Sequence, residues 1–374
     1  MNAPLDGVRV LELGSARATA VCGNILADLG ADVLLVTGEE PGSGAGVGKR
    51  IVTIALHDRD GVELLHRLIT RCNVIVTALG EAELHALDLD RDRLEGLRPG
   101  LVFCAITPFG SNVGADERPA TDLTLQALSG VISLTGHSNR PPVPNAFPIA
   151  DLAGGVYATC AVLAAVVKAE RIERLSHTPI GSFIDLSQLH CMAQLLGYTA
   201  QQYLLTGDTP GRVGSGHHSI SPYEAYPTSD GWMVVCAFTQ SIWLRLLSAM
   251  SVEHLADDPR FADLAARKSN QRELNAVLCS RFAELTVGEW IPRLLKFDVP
   301  AAPVATLGEA LSSPFVKERG MVITNQQPDG RSLRTLASPL IIDGVRMRAS
   351  APGRSDVEAG TALAFWPPNK GESQ

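Results

Sequence analysis

The stretch Val8-Arg9-Val10-Leu11-Glu12-Leu13-Gly14, then Val21, Ile25 and Leu29, then Gly30-Ala31-Asp32-Val33-Leu34-Leu35-Val36-Thr37, decides the fold. The two end runs are apolar-dominated without alternation, as strands buried on both faces are, and the i, i+4, i+8 spacing between them is one helical face. The same alternation continues outward, with strands expected over 51–56, 73–79 and 101–107. A helix is expected over 60–71, with Val62, Leu65 and Leu68 or Ile69 turned inward. Apolar strands separated by helices imply an α/β fold, a Rossmann-like large domain built on a parallel sheet with helices on both faces.

Further along, 118–196 is mainly helical, interrupted by a Gly/Pro-rich segment at 136–148. Residues 205–221 are rich in Gly, Ser and His and read as a linker or active-site loop. The turn Thr228-Ser229-Asp230-Gly231 within 223–238 signals a β-hairpin, and 251–296 carries mixed charges at helical spacing. Gly320-Met321-Val322 and Pro339-Leu340-Ile341-Ile342 read as short strands before a polar tail. The expected organisation is a large domain over 1–200, a linker over 201–221, a smaller α+β domain over 222–315 and a return to the large domain over 316–374.

Composition narrows the function classes. The 374 residues accommodate two domains at roughly 150 residues each, and 45% apolar with 19% charged residues is too hydrophobic for disorder. With 32 basic against 40 acidic residues the net charge is -8, so the large electropositive surface that nucleic acid requires is not expected. Seven cysteines stand singly in apolar runs, as reduced thiols of a cytoplasmic protein do. The opening Met1-Asn2-Ala3-Pro4-Leu5-Asp6 lacks the pattern of a signal peptide. The uncharged run 152–167 spans sixteen residues, short of the ~20 that cross a bilayer, and reads as a buried helix.

Several motifs are tempting but fail on spacing. Pro41-Gly42-Ser43-Gly44-Ala45-Gly46-Val47-Gly48-Lys49-Arg50 has Ser43 where a phosphate loop needs Gly, and Arg50 where it needs Ser or Thr. Gly14 is followed by Ser15-Ala16-Arg17 and not by the further glycines of a dinucleotide fingerprint. No C-x2-C or H-x3-H pair offers a metal site, so no metal is expected, and His217-His218 read as solvated loop residues. Gly214-Ser215-Gly216 lacks the spacing of a nucleophile elbow.

Asp151 stands apart. Pro148-Ile149-Ala150-Asp151-Leu152-Ala153-Gly154-Gly155-Val156-Tyr157 places one carboxylate at the mouth of an otherwise uncharged helix. The plainer reading is an N-cap, whose side-chain oxygen accepts an orphan N–H. The functional reading draws on the same N–H groups and helix dipole, which keep a carboxylate ionised and stabilise an oxyanion beside it. Gly154 and Gly155 would then let a bulky substrate approach the backbone.

With these residues in view, the chain resembles the class III CoA-transferases, the family of formyl-CoA:oxalate and carnitine CoA-transferases that also contains α-methylacyl-CoA racemases. The resemblance runs nearly the full length. It rests on Pro4-Leu5-Asp6-Gly7-Val8-Arg9-Val10-Leu11, Ala27-Asp28-Leu29-Gly30-Ala31-Asp32-Val33, Gln126-Ala127-Leu128-Ser129-Gly130, Leu134-Thr135-Gly136, Pro148-Ile149-Ala150-Asp151, Tyr226-Pro227-Thr228-Ser229-Asp230-Gly231-Trp232 and Val316-Lys317-Glu318-Arg319-Gly320-Met321. It implies that Asp151 is the nucleophile that attacks an acyl-CoA thioester, with coenzyme A and a carboxylate as substrates and an interlocked homodimer as the assembly.

The resemblance also places the CoA cleft at Arg17, Ala18, Leu56, Ala78, Leu79 and Gly80. Three of the family's CoA contacts fall on residues of other chemistry: an Arg on Gly38, an Asn-Phe on Ala78-Leu79 and an Arg on Ala86. Arg17, Lys49 and Arg50 are the cations expected to supply the displaced charge. Thr239-Gln240 stands where the family has a glycine-bearing loop. Two alternatives accompany CoA transfer. One is a subunit with an eroded CoA site that supports a paralogue, the chain then pairing with a homologous subunit. The other is an acyl-CoA racemase, whose His falls on Thr121 and whose Glu falls near Thr239, where Thr cannot serve as a base.

Overall fold

A computed structural model describes residues 3–38, 48–111, 118–326, 330–348 and 355–366. The Gly-rich part of the phosphate-loop-like stretch, 41–47, lies outside them. The chain forms two compact units, one from Met1–Val131, Asn145–Gly197 and Phe315–Gln374, the other from Ile132–Pro144 and Tyr198–Pro314.

The first unit is built on strands β1 (Arg9–Leu13), β2 (Asp32–Thr37), β3 (Arg50–Thr53), β4 (Val74–Thr77), β5 (Val102–Thr107), β6 (Ser182–Ser187) and β7 (Ser355–Val357). All pair in parallel, in the order β7-β3-β2-β1-β4-β5-β6. The order reverses between β1 and β4, and in open sheets of this kind ligands bind outside the carboxyl ends of the strands at that switch point. The helices that matter are α1 (Arg17–Asp28), α2 (Arg59–Ile69), α3 (Glu81–Ala86), α4 (Arg91–Leu97), α5 (Asp122–Leu128), α6 (Ile149–Ser176) and α7 (Gln188–Leu195).

Two apolar layers cover the sheet. One gathers Leu11, Leu34, Val52, Leu65, Leu68 and Phe103 beneath α2, and the C-terminal Trp366 joins it, its Nε1 donating to Asp32 Oδ2 at 2.9 Å. The other gathers Val10, Val33, Val76, Cys104 and Ile106 beneath α1 and α6. Helix α6 is 28 residues long and, by length and composition alone, apolar enough to cross a membrane, but half of its most apolar stretch is buried inside the protein. Its buried face includes Ala153, Gly154, Ala158, Val162 and Ala165, small residues that let α1 come close. At Gly155 a Cβ would sit 2.5 Å from Val21 Cβ and 2.7 Å from the Ala18 carbonyl oxygen, so only glycine permits this approach.

Below α1 lies a buried ion pair. Lys49 Nζ donates to Glu12 Oε2 at 2.6 Å and to the Ala20 carbonyl at 3.0 Å, and both side chains are fully buried. Gly23 makes the space, since a Cβ there would fall 2.0 Å from Glu12 Oε2. Burial pushes the Glu12 carboxyl up, and the Lys49 charge opposes that shift.

The second unit carries an antiparallel sheet in which Tyr223–Pro227 and Trp232–Cys236 form the expected hairpin, with Ala301–Pro303 as a third strand on its far side. Its core gathers Tyr226, Trp243, Leu246, Phe261, Phe282 and Trp290. Two features differ from expectation. Residues 132–144 belong to this unit, through pairing of Gly136–His137 with Val213–Gly214. The segment read as a linker begins as the exposed end of the helix Gly197–Thr206 and is packed only toward its own end, with His217 stacked on Tyr198 and edge-on to Tyr223, its Nδ1 accepting the Ser219 N–H at 3.1 Å.

The Glu12–Lys49 pair gives a double-mutant test. Lys49→Met, which strands a buried carboxylate, is expected to cost about 3–5 kcal/mol in urea unfolding, with Glu12→Gln/Lys49→Met recovering most of it. Equal losses in the single and double variants would contradict that account.

Candidate active site

Helix α6 begins at Ile149, and the residue ahead of it, Pro148, has no capping side chain. The backbone N–H groups of Ala150 and Asp151 donate instead to Oδ1 of Asp122, at 2.7 and 3.2 Å. Asp122 opens α5, and its Oδ2 accepts from Gln126 Nε2 at 2.6 Å. Gln126 Oε1 in turn accepts the Asn145 N–H at 2.9 Å. The capping expected of Asp151 is therefore performed by Asp122 from another helix. Asp151 lies inside the first turn, where its charge still meets the positive end of the helix dipole.

The two Asp151 oxygens have different surroundings. Oδ1 accepts from Gln188 Nε2 at 2.9 Å. Oδ2 lies 3.9 Å from Arg17 Nη1, with the Asp151 side chain 20% and the Arg17 side chain 62% exposed. Arg17 begins α1 just after β1, and Gln188 begins α7 just after β6. Two strands thus deliver their following residues to one carboxylate at the carboxyl edge of the sheet. Burial pushes the Asp151 carboxyl above its usual range. The Gln188 hydrogen bond and the Arg17 charge oppose this, and the neighbouring Asp122 charge adds to it.

The paired glycines serve packing. A Cβ on Gly154 would lie 3.1 Å from Gln188 Cγ and 3.4 Å from Ile106 Cγ2, and Gly155 is filled by Val21 and Ala18. The expectation that they expose backbone to a substrate is corrected accordingly, because their space is taken by side chains of α1, β5 and α7.

The five uncharged residues among the expected CoA contacts divide into three groups. Leu56 and Leu79 line one cavity of about 1000 Å3, together with Val62, Ala86, the cations Arg59 and Arg93 and the carboxylates Asp58, Glu63, Glu83 and Asp88, the last paired with Arg93. Ala78 and Gly80 flank Leu79 on the turn after β4, half-buried, and the Gly80 N–H donates to Glu83 Oε2 at 2.8 Å. Ala18 is buried between α1 and α6.

Lys49 and Arg50 are corrected. Lys49 is consumed by Glu12 inside the core. Arg50 starts β3 at the opposite, amino edge of the sheet, paired with Asp32 and stacked on Phe365 with its guanidinium carbon 5.0 Å from the ring centre. Neither lines the cavity that holds Leu56 and Leu79. Arg17 alone of the three expected cations stands beside the carboxylate.

Thr121 is the N-cap of α5, accepting the Thr124 N–H, and in the second unit Thr239 is the N-cap of the helix Gln240–Met250. Each hydroxyl is thus occupied in a structural bond. Among the described residues no three His, Cys, Asp or Glu side chains converge as a metal site. Asp122 and Gln188 are the site residues that sequence reasoning passed over. Only the i, i+4 spacing of Asp122 and Gln126 hinted at the first.

Residues 5–355 match the model of CoA-transferase family III. The chain belongs to CoA-transferase family III. It is 28% identical over 373 residues to the succinate–glutarate CoA-transferase of Agrobacterium fabrum, covering 93% of this chain and 92% of that protein. It is 30% identical over 347 residues to the succinyl-CoA–D-citramalate CoA-transferase of Chloroflexus aurantiacus, covering 87% and 84%. A CAIB/BAIF family protein from Brucella suis superimposes with a TM-score of 0.83 at 29% identity over 98% of this chain and 99% of that one. This member of CoA-transferase family III is an enzyme of CoA transfer, whose family acts on CoA thioesters and carboxylic acids.

The raised Asp151 carboxyl sets a stability prediction. Its folded form holds a proton more tightly than the unfolded chain, so the neutral acid is favoured at low pH and the ionised form costs stability at neutral pH. Asp151→Asn is expected to melt about 1–3 °C higher than the native protein at pH 7. The gap should close as pH falls through the raised value, and a lower melting temperature at pH 7 would refute it.

Proposed function

We propose that this enzyme moves CoA from an acyl-CoA thioester to a free carboxylic acid through covalent intermediates on Asp151. The observation that carries the reading is that Asp122 relieves Asp151 of helix capping, leaving one carboxylate oxygen beside the exposed Arg17. In the first step Oδ2 attacks the thioester carbonyl, the C–S bond breaks, and CoA leaves as its thiolate from a mixed anhydride. The thiolate then attacks the aspartyl carbonyl carbon, forming an aspartyl-CoA thioester and releasing the donor acid. An acceptor carboxylate repeats the sequence in reverse. Splitting one difficult exchange into such steps is the advantage of a carboxylate nucleophile, and the apolar surroundings of α6 help to exclude water.

We place the nucleotide end of CoA at the cavity lined by Leu56 and Leu79 at the carboxyl edge, where Arg59 is the cation for its phosphates, Arg93 being paired with Asp88 at 3.1 Å in the same lining. Short dicarboxylic acids are the favoured substrates, because relatives at 28–30% identity are named for succinyl-CoA or succinate with dicarboxylate partners. Arg17 is the cation beside Asp151 available to an incoming carboxylate. The racemase alternative is disfavoured by Thr121 and Thr239, whose hydroxyls cap helices and cannot take an α-proton. Leu152, Val156 and Val167 form an exposed apolar stripe on α6, which we assign to a second copy of the chain.

Purified alone, the protein should sediment at twice the 39.7 kDa chain mass and exchange labelled succinate and other dicarboxylates into CoA thioesters. Asp151→Ala should reduce that exchange by at least about 10³-fold, in line with loss of a covalent nucleophile. Exchange that appears only after a paralogue is added, or that survives in Asp151→Ala, would overturn the proposal.

A further inference from the structure

The amide of Gln188 is placed with more care than a carboxylate merely at rest requires. Gln188 is only 6% exposed, and it opens α7 directly after the N-cap Ser187. The next N–H, that of Leu189, donates to the Pro108 carbonyl at 3.0 Å and pins the turn to the end of β5. The side-chain stem crosses α6 at Gly154, where any Cβ would crowd its Cγ at 3.1 Å. It ends with Nε2 2.9 Å from Oδ1, the oxygen turned away from Arg17. A hydrogen bond to the resting carboxylate lowers its nucleophilicity, so this arrangement is unfavourable for the first attack and must find its use in a later step.

We propose that Gln188 is the oxyanion donor for the step in which the CoA thiolate attacks Asp151 itself, an inference that rests on the covalent reading given above. If Oδ2 attacks the substrate, Oδ2 becomes the bridging oxygen of the anhydride and Oδ1 remains the aspartyl carbonyl oxygen. The thiolate sulfur then bonds to Cγ, and the carbonyl π pair moves onto Oδ1, which becomes an oxyanion already in contact with Gln188 Nε2. Collapse of the adduct restores the carbonyl, breaks the bond from Cγ to Oδ2, and expels the donor acid as a carboxylate carrying that oxygen toward Arg17. The fixed donor strengthens its bond as charge develops and needs no reorganisation. Gln188 therefore speeds conversion of the anhydride to the aspartyl-CoA thioester and limits the time during which water can destroy the former.

Acid-quenched single turnovers with succinyl-CoA and no acceptor, followed by separation of protein-bound from free CoA, test this. The native enzyme should hold CoA as a thioester on Asp151. Gln188→Ala should still acylate but release CoA as free thiol, with kcat for exchange lowered about 100-fold and KM for the thioester little changed. Gly154→Ala, which displaces the amide without deleting it, should show the same shift in smaller degree, and far-ultraviolet circular dichroism should report both variants as folded. An unchanged ratio of bound to free CoA in folded Gln188→Ala, or a defect confined to KM, would overturn the role of Gln188. A native enzyme that forms neither species would overturn the covalent reading itself, and the role of Gln188 with it.

Discussion

The site depends on which carboxylate satisfies the head of α6. A helix N-terminus presents unpaired N–H groups, and an acidic residue in the first turn is well suited to folding back onto them. If Asp151 did so, its oxygens would be spent on main chain. Asp122 takes that place from a separate helix, held in turn by Gln126 and through it by Asn145. The consequence is two carboxylates within one network, and the Asp122 charge contributes to raising the Asp151 carboxyl. The carboxylate that caps α6 and the one that faces Arg17 thus belong to different residues.

The rest of the first unit holds that arrangement in position. The parallel sheet brings the ends of β1 and β6 to the same edge, and those ends deliver Arg17 and Gln188 to opposite oxygens of Asp151. Close contact of α1 with α6 at Gly155 sets the distance from Arg17 to the carboxylate. Beneath α1, the buried Glu12–Lys49 pair ties β1 to the start of β3 and holds α1 through the Ala20 carbonyl. The small residues along the buried face of α6 thus serve to bring neighbours close.

Much of this was legible in the sequence, and the failures have physical causes. Apolar runs separated by helical spacing gave the parallel sheet because strands buried on both faces need no alternation. The hairpin at 223–238 was legible from its turn, but its third strand was not, since Ala301–Pro303 is a three-residue edge segment bounded by prolines. Asp151 stood out as a lone charge, yet its local pattern is that of a cap, and only the resemblance favoured chemistry. Asp122 lies 29 positions away and Gln188 lies 37, and no local periodicity connects them to it. Lys49 and Arg50 looked like free cations beside a Gly-rich loop, whereas their partners, Glu12 and Asp32, come from strands distant in sequence.

The central claim is that Asp151 becomes acylated. The most direct measurement is peptide mass spectrometry of the native protein after incubation with succinyl-CoA and hydroxylamine, which converts an activated aspartyl group to its hydroxamate. The account predicts the hydroxamate on Asp151 and none on Asp122, whose oxygens are engaged by the head of α6 and by Gln126. Catalytic exchange proceeding while Asp151 stays unmodified, or label appearing on another carboxylate, would contradict it.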